Sequence, residues 1–490
     1  MKSSDGSALF GDFPRVLLVC ALGALFAVCI QPLWNLEDRW FVVTVAAVAL
    51  VSISMMFAGR FSNSLLILLL FCVPLAGFKK YFFLVEDYVT WMNALGFGII
   101  DILVAGLYVA WLFRILALRS TPMPRLEAAD VWPALLVLSC LLSLPGANEP
   151  HLVLFAFQNV LLHVLVYFYV SRHFKPEHVR WLLAAIGFAI VIESVLAVVQ
   201  NQFGILVGLM LDRGAGGENL NTQLYTVPGI EDVARGAGTT YDAHSLGVFM
   251  AMVAPFALVF LYSSRLPRAA RAASGVLLLA ALVGLAVSYS RSAWLSGALA
   301  LAIGVAMLLR WRERNIVPSV AAAAVALLAA GPWLVNTVFS RLFDAPEELL
   351  AVRFEQYPVA LNIWRENILF GAGAGNYVGA LDRHNLDWVF NIVVHNVPLY
   401  IAAEMGLFGV VAYYGLVAAT IVRLWRVVRR REEPGSRLAL ASLLALFVYV
   451  LDGMTDPLFR EPVPYLFFWI IVGVSVALAR SPHGAFSRHP

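Results

Sequence analysis

Three features stand out between the apolar runs of this chain: arginines at run ends, a histidine at a run start, and a glycine-rich turn. Residues 353–409 hold them closest together, from Arg353 through Gly371-Ala-Gly-Ala-Gly375 to His395, Asn396 and Gly406. Charged groups kept at the edge of an apolar run are costly to hold there without a use. Arginine forks bind phosphate oxygens two at a time and need no metal ion to do so. A neutral imidazole takes a proton from a hydroxyl. Phosphate recognition coupled to proton removal is the chemistry these residue types suit.

His395-Asn396 opens an apolar run, with Pro398 in its first turn, a favoured place for proline in a helix. A helix start offers bare N–H groups and a positive dipole, which favour phosphate and lower the pKa of a nearby histidine. The alternative is a structural interfacial histidine. Arg291 lies in Ser288-Tyr-Ser-Arg-Ser-Ala-Trp294, a tight turn between two apolar runs, and so sits at headgroup level. There it either anchors to lipid phosphate or recognises a phosphorylated lipid. Arg353 lies in 347–367, which reads as a helix with an apolar stripe of Phe354, Tyr357, Leu361 and Trp364. Pro358 is expected to kink or restart that helix. Either the stripe rests on a membrane surface or the helix is merely solvated.

The elements that must position these residues are membrane helices. Of 490 residues, 61% are hydrophobic and 13% charged, and mean hydropathy is +0.82. A soluble chain of this length exposes more charge. A span needs about 20 apolar residues. Fourteen runs are candidates: 14–31, 40–58, 64–78, 94–113, 131–145, 152–171, 181–208, 244–263, 272–289, 292–310, 316–335, 396–422, 438–452 and 462–479. Those at 64–78 and 131–145 are short, so either is re-entrant or tilted. The expectation is an all-α polytopic membrane protein with 12–14 transmembrane helices and an outer helical segment carrying the active residues. It divides into N-terminal helices over 1–208, helices with the Arg235 loop and Arg291 turn over 209–335, the outer segment 336–395, and C-terminal helices over 396–490.

Most of the 34 Lys and Arg fall on one side when the N-terminus is placed in the cytoplasm and the runs alternate. Both termini are then cytoplasmic, and 209–243 and 336–395 lie outside. The basic clusters are topology signals, and the net charge of +3 gives no reason to expect nucleic acid. The run 14–31 lacks a small-x-small cleavage site and reads as a retained helix. Cys20, Cys29, Cys72 and Cys140 all lie within apolar runs, with neither a disulfide framework nor a metal-binding spacing.

HExxH, GxSxG and GxxxxGK[ST] are absent, and the 371–375 glycines lack a following Lys. Glu37-Asp38, Glu86-Asp87 and Glu231-Asp232 read as interfacial charge, although some membrane glycosyltransferases place an acidic pair after their first helix. No metal and no cofactor is expected. Asp101, His163, Glu193, Glu404 and Asp452 fall in or beside apolar runs, and intramembrane ionisable groups can mark an ion path. They stand singly, with no paired half-helix repeat, which leaves a transporter or flippase as the alternative.

Four blocks in order resemble the O-antigen ligase and O-antigen polymerase superfamily. They are Arg235-Gly-Ala-Gly-Thr-Thr-Tyr-Asp-Ala-His-Ser-Leu-Gly247, the Ser288–Trp294 turn, Arg353 to Trp364 followed by Leu369-Phe-Gly-Ala-Gly-Ala-Gly-Asn376, and His395-Asn-x-x-Leu399 with Glu404-x-Gly406. The resemblance implies metal-independent, inverting glycosyl transfer on the periplasmic face of a bacterial inner membrane. The donor would be a glycan on undecaprenyl diphosphate. The acceptor hydroxyl would belong to lipid A-core sugar in a ligase, or to another lipid-linked repeat unit in a polymerase. The resemblance places the diphosphate on Arg291 and Arg353, with Arg235 as a third contact, and the essential histidine on His395. Asn396, Tyr357 and Glu404 are expected to support that site. The alternative becomes a transporter or flippase for the lipid-linked glycan.

Overall fold

The computed structural model describes residues 61–83, 94–116, 123–203, 226–227, 230–240, 242–263, 265–311, 347–382, 393–431 and 434–481. The expected runs at 14–31, 40–58 and 316–335 lie outside the described residues, as do Cys20, Cys29, Glu37-Asp38, Glu86-Asp87 and His384.

The apolar runs become helices. In chain order they are α1 (Phe61–Phe71), α2 (Ile99–Leu116), α3 (Val131–Leu142), α4 (Pro150–His173), α5 (Val179–Phe203), α6 (Ala243–Leu261), α7 (Arg268–Val287) and α8 (Arg291–Arg310). Then come α9 (Glu347–Glu366), α10 (Tyr377–Asp382), α11 (Val397–Arg430), α12 (Gly435–Asp452) and α13 (Pro462–Arg480). Two short antiparallel hairpins complete the description, β1 (Lys79–Phe82) with β2 (Leu95–Gly98), and β3 (Thr226–Val227) with β4 (Ile230–Ala234). Ten helices among the described residues are long and apolar enough to cross a membrane. The protein is an all-α polytopic membrane protein.

The two short runs resolve differently. α1 stops at Phe71, and a 3-10 turn over Val73–Gly77 carries Pro74 in its first positions, so 64–78 is not one helix. α3 is extended by 3-10 turns at both ends into a candidate span over Ala128–Gly146.

Burial sorts the bundle into an interior and a rim. The apolar windows of α6 and α13 are 89% buried, that of α7 only 22%. α6 packs against α7, α8 and α12, and α13 against α4, so α6 and α13 form the interior. In a membrane the apolar face of a rim helix meets lipid, which is why α7 leaves Val276 and Leu279 exposed.

Four of the five ionisable groups named in the runs, all but Asp452, are tied to neighbours by the following contacts. Asp101 accepts from Gly98 N at 2.8 Å and from Gln158 Nε2 at 2.9 Å. Glu193 accepts from the backbone and hydroxyl of Thr239. Glu404 is paired with Arg460, and His163 contacts Asn159 O and the Tyr465 ring. These contacts compensate burial in place.

α11 is broken by design. Gly406 holds φ 62°, ψ −162° in the middle of it, and a Cβ there would stand 2.3 Å from the Leu369 carbonyl. Only glycine tolerates both constraints. The break lets the glycine-rich turn lock in, with Ala372 N donating to Ala403 O and Gly373 N to Glu404 O. Gly371 (φ 75°) touches the same backbone, where a Cβ would lie 2.4 Å from the Glu404 carbonyl carbon. The 371–375 glycines therefore clamp α9 and α10 onto the bend in α11.

α9 runs through Pro358 as one helix, where a kink or restart was expected. Its inner face is Gln356, Ala360 and Ile363, which pack toward α11. The expected stripe lies one step round the helix. Phe354 is 65% exposed, while Tyr357, Leu361 and Trp364 are half-buried.

Candidate functional site

One end of the bundle gathers the turns that carry the predicted arginines. α7 ends at Val287, and the chain reverses through Ser288 and Tyr289 before α8 starts at Arg291. Trp294 Nε1 donates to Leu285 O at 2.8 Å across this turn, and Ser288 Oγ donates to the same carbonyl at 2.7 Å. The preceding loop clamps on from the side, with Gly236 N donating to Val287 O at 2.9 Å and Arg235 Nε to Ser288 O at 3.0 Å. Gln200 and Glu193 of α5 hold that loop through the backbone of residues 237–239. Arg235 and Arg291 are thus fixed on the two sides of one turn.

α9 and α12 add the third arginine. Arg353 donates from Nη1 to Thr455 O at 3.1 Å and from Nη2 to Asp456 Oδ1 at 3.1 Å. Its side chain stays 35% exposed, so part of the guanidinium still faces outward. Among the described residues no carboxylate pairs with Arg291, which lies in the field of Arg353 and Asp456. Burial lowers the pKa of Arg235, opposed by the charges of Asp242 and Asp456. Asp456 is the common neighbour of all three arginines.

His395 completes the group. Asn396 caps α11, its Oδ1 accepting from Leu399 N at 3.0 Å, and Asn396 Nδ2 donates to Met454 O at 2.9 Å. That ties the helix start to the turn after α12. Gln356 Oε1 lies 3.2 Å from His395 N and 2.9 Å from His395 Nδ1. A backbone N–H can only donate, so the Gln356 atom it meets is an acceptor. Nδ1 then carries the proton, and Nε2 keeps a free lone pair. The imidazole pKa is lowered to about 4, by burial first, with Arg353 lowering it and Asp456 opposing. The sequence reading assigned the lowering to the helix start; burial is the larger cause.

The other two expected supporters make contacts of their own. The Tyr357 ring packs on Phe354 at 5.9 Å. Glu404 pairs with Arg460 and accepts from Tyr377 N at 3.4 Å, which makes it part of the glycine clamp. The structure brings in four residues that were missed. They are Gln356, Ser292, His244 and Asp456, with Asp452 beside them. His244 Nδ1 lies 2.7 Å from Ser290 Oγ, and His244 Nε2 lies 3.2 Å from Asp452 Oδ2 and 3.5 Å from Asp456 Oδ2. Ser292 Oγ donates to Asp456 Oδ2 at 3.1 Å. One signal was available in the sequence: Asp452 and Asp456 stand four apart where an apolar run ends. His244, Asp452 and Asp456 are also the residues here with a donor set for a metal ion.

Three arginines, with fewer matching carboxylates aimed at them than they can bind, beside an imidazole with a free lone pair can hold an anion and remove a proton next to it. No curated protein matches this chain. Residues 276–414, which contain Arg291, Arg353 and His395, match the family described as O-antigen ligase, which supports the superfamily that the sequence blocks resemble.

Proposed function

We propose that this protein moves a glycan from undecaprenyl diphosphate to an acceptor hydroxyl in one inverting displacement, on the periplasmic face of a bacterial inner membrane. The observation that supports this most is the meeting of Arg235, Arg291 and Arg353 with a His395 whose Nε2 is unprotonated. The bond from the anomeric carbon to the diphosphate oxygen breaks as the bond to the acceptor oxygen forms. The acceptor's proton passes to His395 Nε2 and then to water. The leaving diphosphate needs charge neutralisation more than protonation, and preorganised guanidinium donors supply it. In this reading no metal ion touches the diphosphate. Asn396 supports the site by fixing the helix start on which His395 sits. The outer segment over 336–395 then faces the periplasm, and both termini the cytoplasm. The acceptor is lipid A-core sugar or a second lipid-linked repeat unit.

Purified protein given a diphosphate-linked donor, with the two acceptors in parallel, tests the reaction and separates ligase from polymerase. Donor carried across vesicles without transfer to either acceptor would overturn the reading. Orientation is tested by Phe354→Cys in a Cys-free background, since Phe354 is exposed. Labelling is expected from the periplasmic side, and labelling from the cytoplasmic side alone would overturn the placement.

A further inference from the structure

Asp452 ends α12 with its side chain fully buried, and neither carboxylate oxygen has a well-aligned hydrogen-bond donor, His244 and Ser292 being the nearest. His244 Nε2 is likewise buried without a hydrogen-bond partner. Yet these atoms are close, with His244 Nε2 at 3.2 Å from Asp452 Oδ2 and 3.5 Å from Asp456 Oδ2. A buried carboxylate without donors is costly, so a cation must compensate it.

One candidate is a proton on the imidazole. It would aim Nε2–H at one of the two carboxylates, and neither contact has that alignment although both are near enough. The other candidate is a metal ion between the three atoms. Ligand atoms about 2.1 Å from one ion, at octahedral to tetrahedral angles, stand roughly 3.0–3.5 Å apart and do not point at each other. The two distances from His244 Nε2 to the acids, 3.2 and 3.5 Å, are of that size, and all three donor atoms lie within 4.8 Å of one another. Ser290 Oγ, 2.7 Å from His244 Nδ1, is able to accept from it, and in that tautomer the Nε2 lone pair is turned toward the acids.

We propose that His244, Asp452 and Asp456 bind one divalent cation of the first transition row. One imidazole and two carboxylates suit Mn²⁺ or Zn²⁺ better than a soft ion. Asp456 then bridges two partners, Oδ2 toward the ion and Oδ1 to Arg353 Nη2 at 3.1 Å. The ion holds Asp456, and Asp456 holds Arg353. Only this consequence rests on the proposed function; the binding itself does not. The ion stays behind the arginines, so transfer takes no step through it.

The test uses full-length protein in detergent, stripped with chelator and titrated with Mn²⁺ alone, without donor or acceptor. Electron paramagnetic resonance of free Mn²⁺ is expected to show one bound ion per chain. Asp452→Asn and His244→Gln should each weaken binding at least tenfold, while Glu355→Gln, on the exposed face of α9, should leave it unchanged. If a variant does not fold, the wild-type protein still decides. Its bound Mn²⁺ should show the nitrogen coupling of a directly attached imidazole. No stoichiometric binding, or bound Mn²⁺ lacking that coupling, would overturn the site. Loss of metal binding would leave the transfer reading standing, and loss of transfer with metal retained would leave this site standing.

Discussion

Where α4 ends, Arg172 meets Asp130 at 2.6 Å, and Tyr167 and the Glu127 backbone bond the same carboxylate. Arg480 beside them pairs with Glu127 at 2.6 Å. At the opposite end of the bundle, Arg291 pairs with no carboxylate among the described residues, Arg235 donates to a backbone carbonyl, and Arg353 shares Asp456. Both ends are rich in arginine. At the first, each of these guanidiniums faces a carboxylate that answers it, so the charge serves the fold. At the second, positive charge is held in place by backbone, turns and the shared Asp456, and carboxylates answer it only in part. An arginine's role is read from what its fork faces, and the sequence alone does not carry that.

The comparison breaks most sharply at His395. His395→Ala should keep donor binding, because the arginines remain, and lose transfer by about 10²–10⁴-fold, the usual span for a general base. His395→Gln can hydrogen-bond the acceptor but takes no proton at working pH, and should fail alike. Donor affinity and single-turnover rate measured together decide it. Weaker donor binding with unchanged turnover would make His395 a binding group. His384, eleven residues earlier in the sequence, is the control, and His384→Ala should be mild.

Arg172 should answer in the other currency. Its side chain and that of Asp130 are 9% and 8% exposed, and Arg172→Ala leaves that carboxylate without its cation but still bonded by Tyr167 and the Glu127 backbone. Losing that charge-assisted contact costs about 1.5–3 kcal/mol. The protein should unfold at lower temperature and accumulate less in the membrane, while the surviving fraction transfers at the normal rate. A normal melting midpoint would mean that this end is not held by its ion pairs.

How much of this was legible follows from the range of each interaction. Helix existence rests on local apolar runs, and those from Ile99 to Arg310 and from Val397 to Arg480 became helices close to the expected bounds. The break at Gly406 was not legible, because it lies inside a continuous apolar run and exists to admit the turn after Leu369. The buried face of α9 was not legible, because its aromatics form a stripe, whereas burial follows the smaller Ala360 and the polar Gln356. Arg291, Arg353 and His395 stood out through residue type at run ends. Their partners did not, since Gln356 is 39 residues from His395 and Asp456 is 103 from Arg353. Pairing at that distance is set by how helices pack, and no spacing rule encodes it.

Arg291→Lys and Arg353→Lys sharpen the contrast at the site end with smaller losses. Each keeps the charge and loses the planar fork. Losing one bidentate, charge-assisted contact is worth about 1.5–3 kcal/mol, roughly 10–100-fold in transfer. Protein amount and melting midpoint should stay normal, unlike Arg172→Ala. Full transfer in Arg291→Lys would remove that residue from the diphosphate site.

The smallest effect expected is a displacement along the pH axis. With the His395 pKa lowered to about 4, the imidazole is unprotonated above that pH. The acid limb of kcat/KM should therefore fall near pH 4 and not at the ordinary histidine value of 6.5. Gln356→Glu puts a carboxylate against His395 Nδ1, where Gln356 Oε1 now lies at 2.9 Å. A neighbouring negative charge favours the imidazolium, so the folded-state pKa rises and the limb moves to higher pH. Above the new limb the Nε2 lone pair is free again, and the plateau should drop only a few-fold. A pH–rate profile of both proteins reads this directly. A wild-type limb at 6.5 would mean that burial does not reach the working imidazole. An unshifted limb in Gln356→Glu would mean that Gln356 is not its partner.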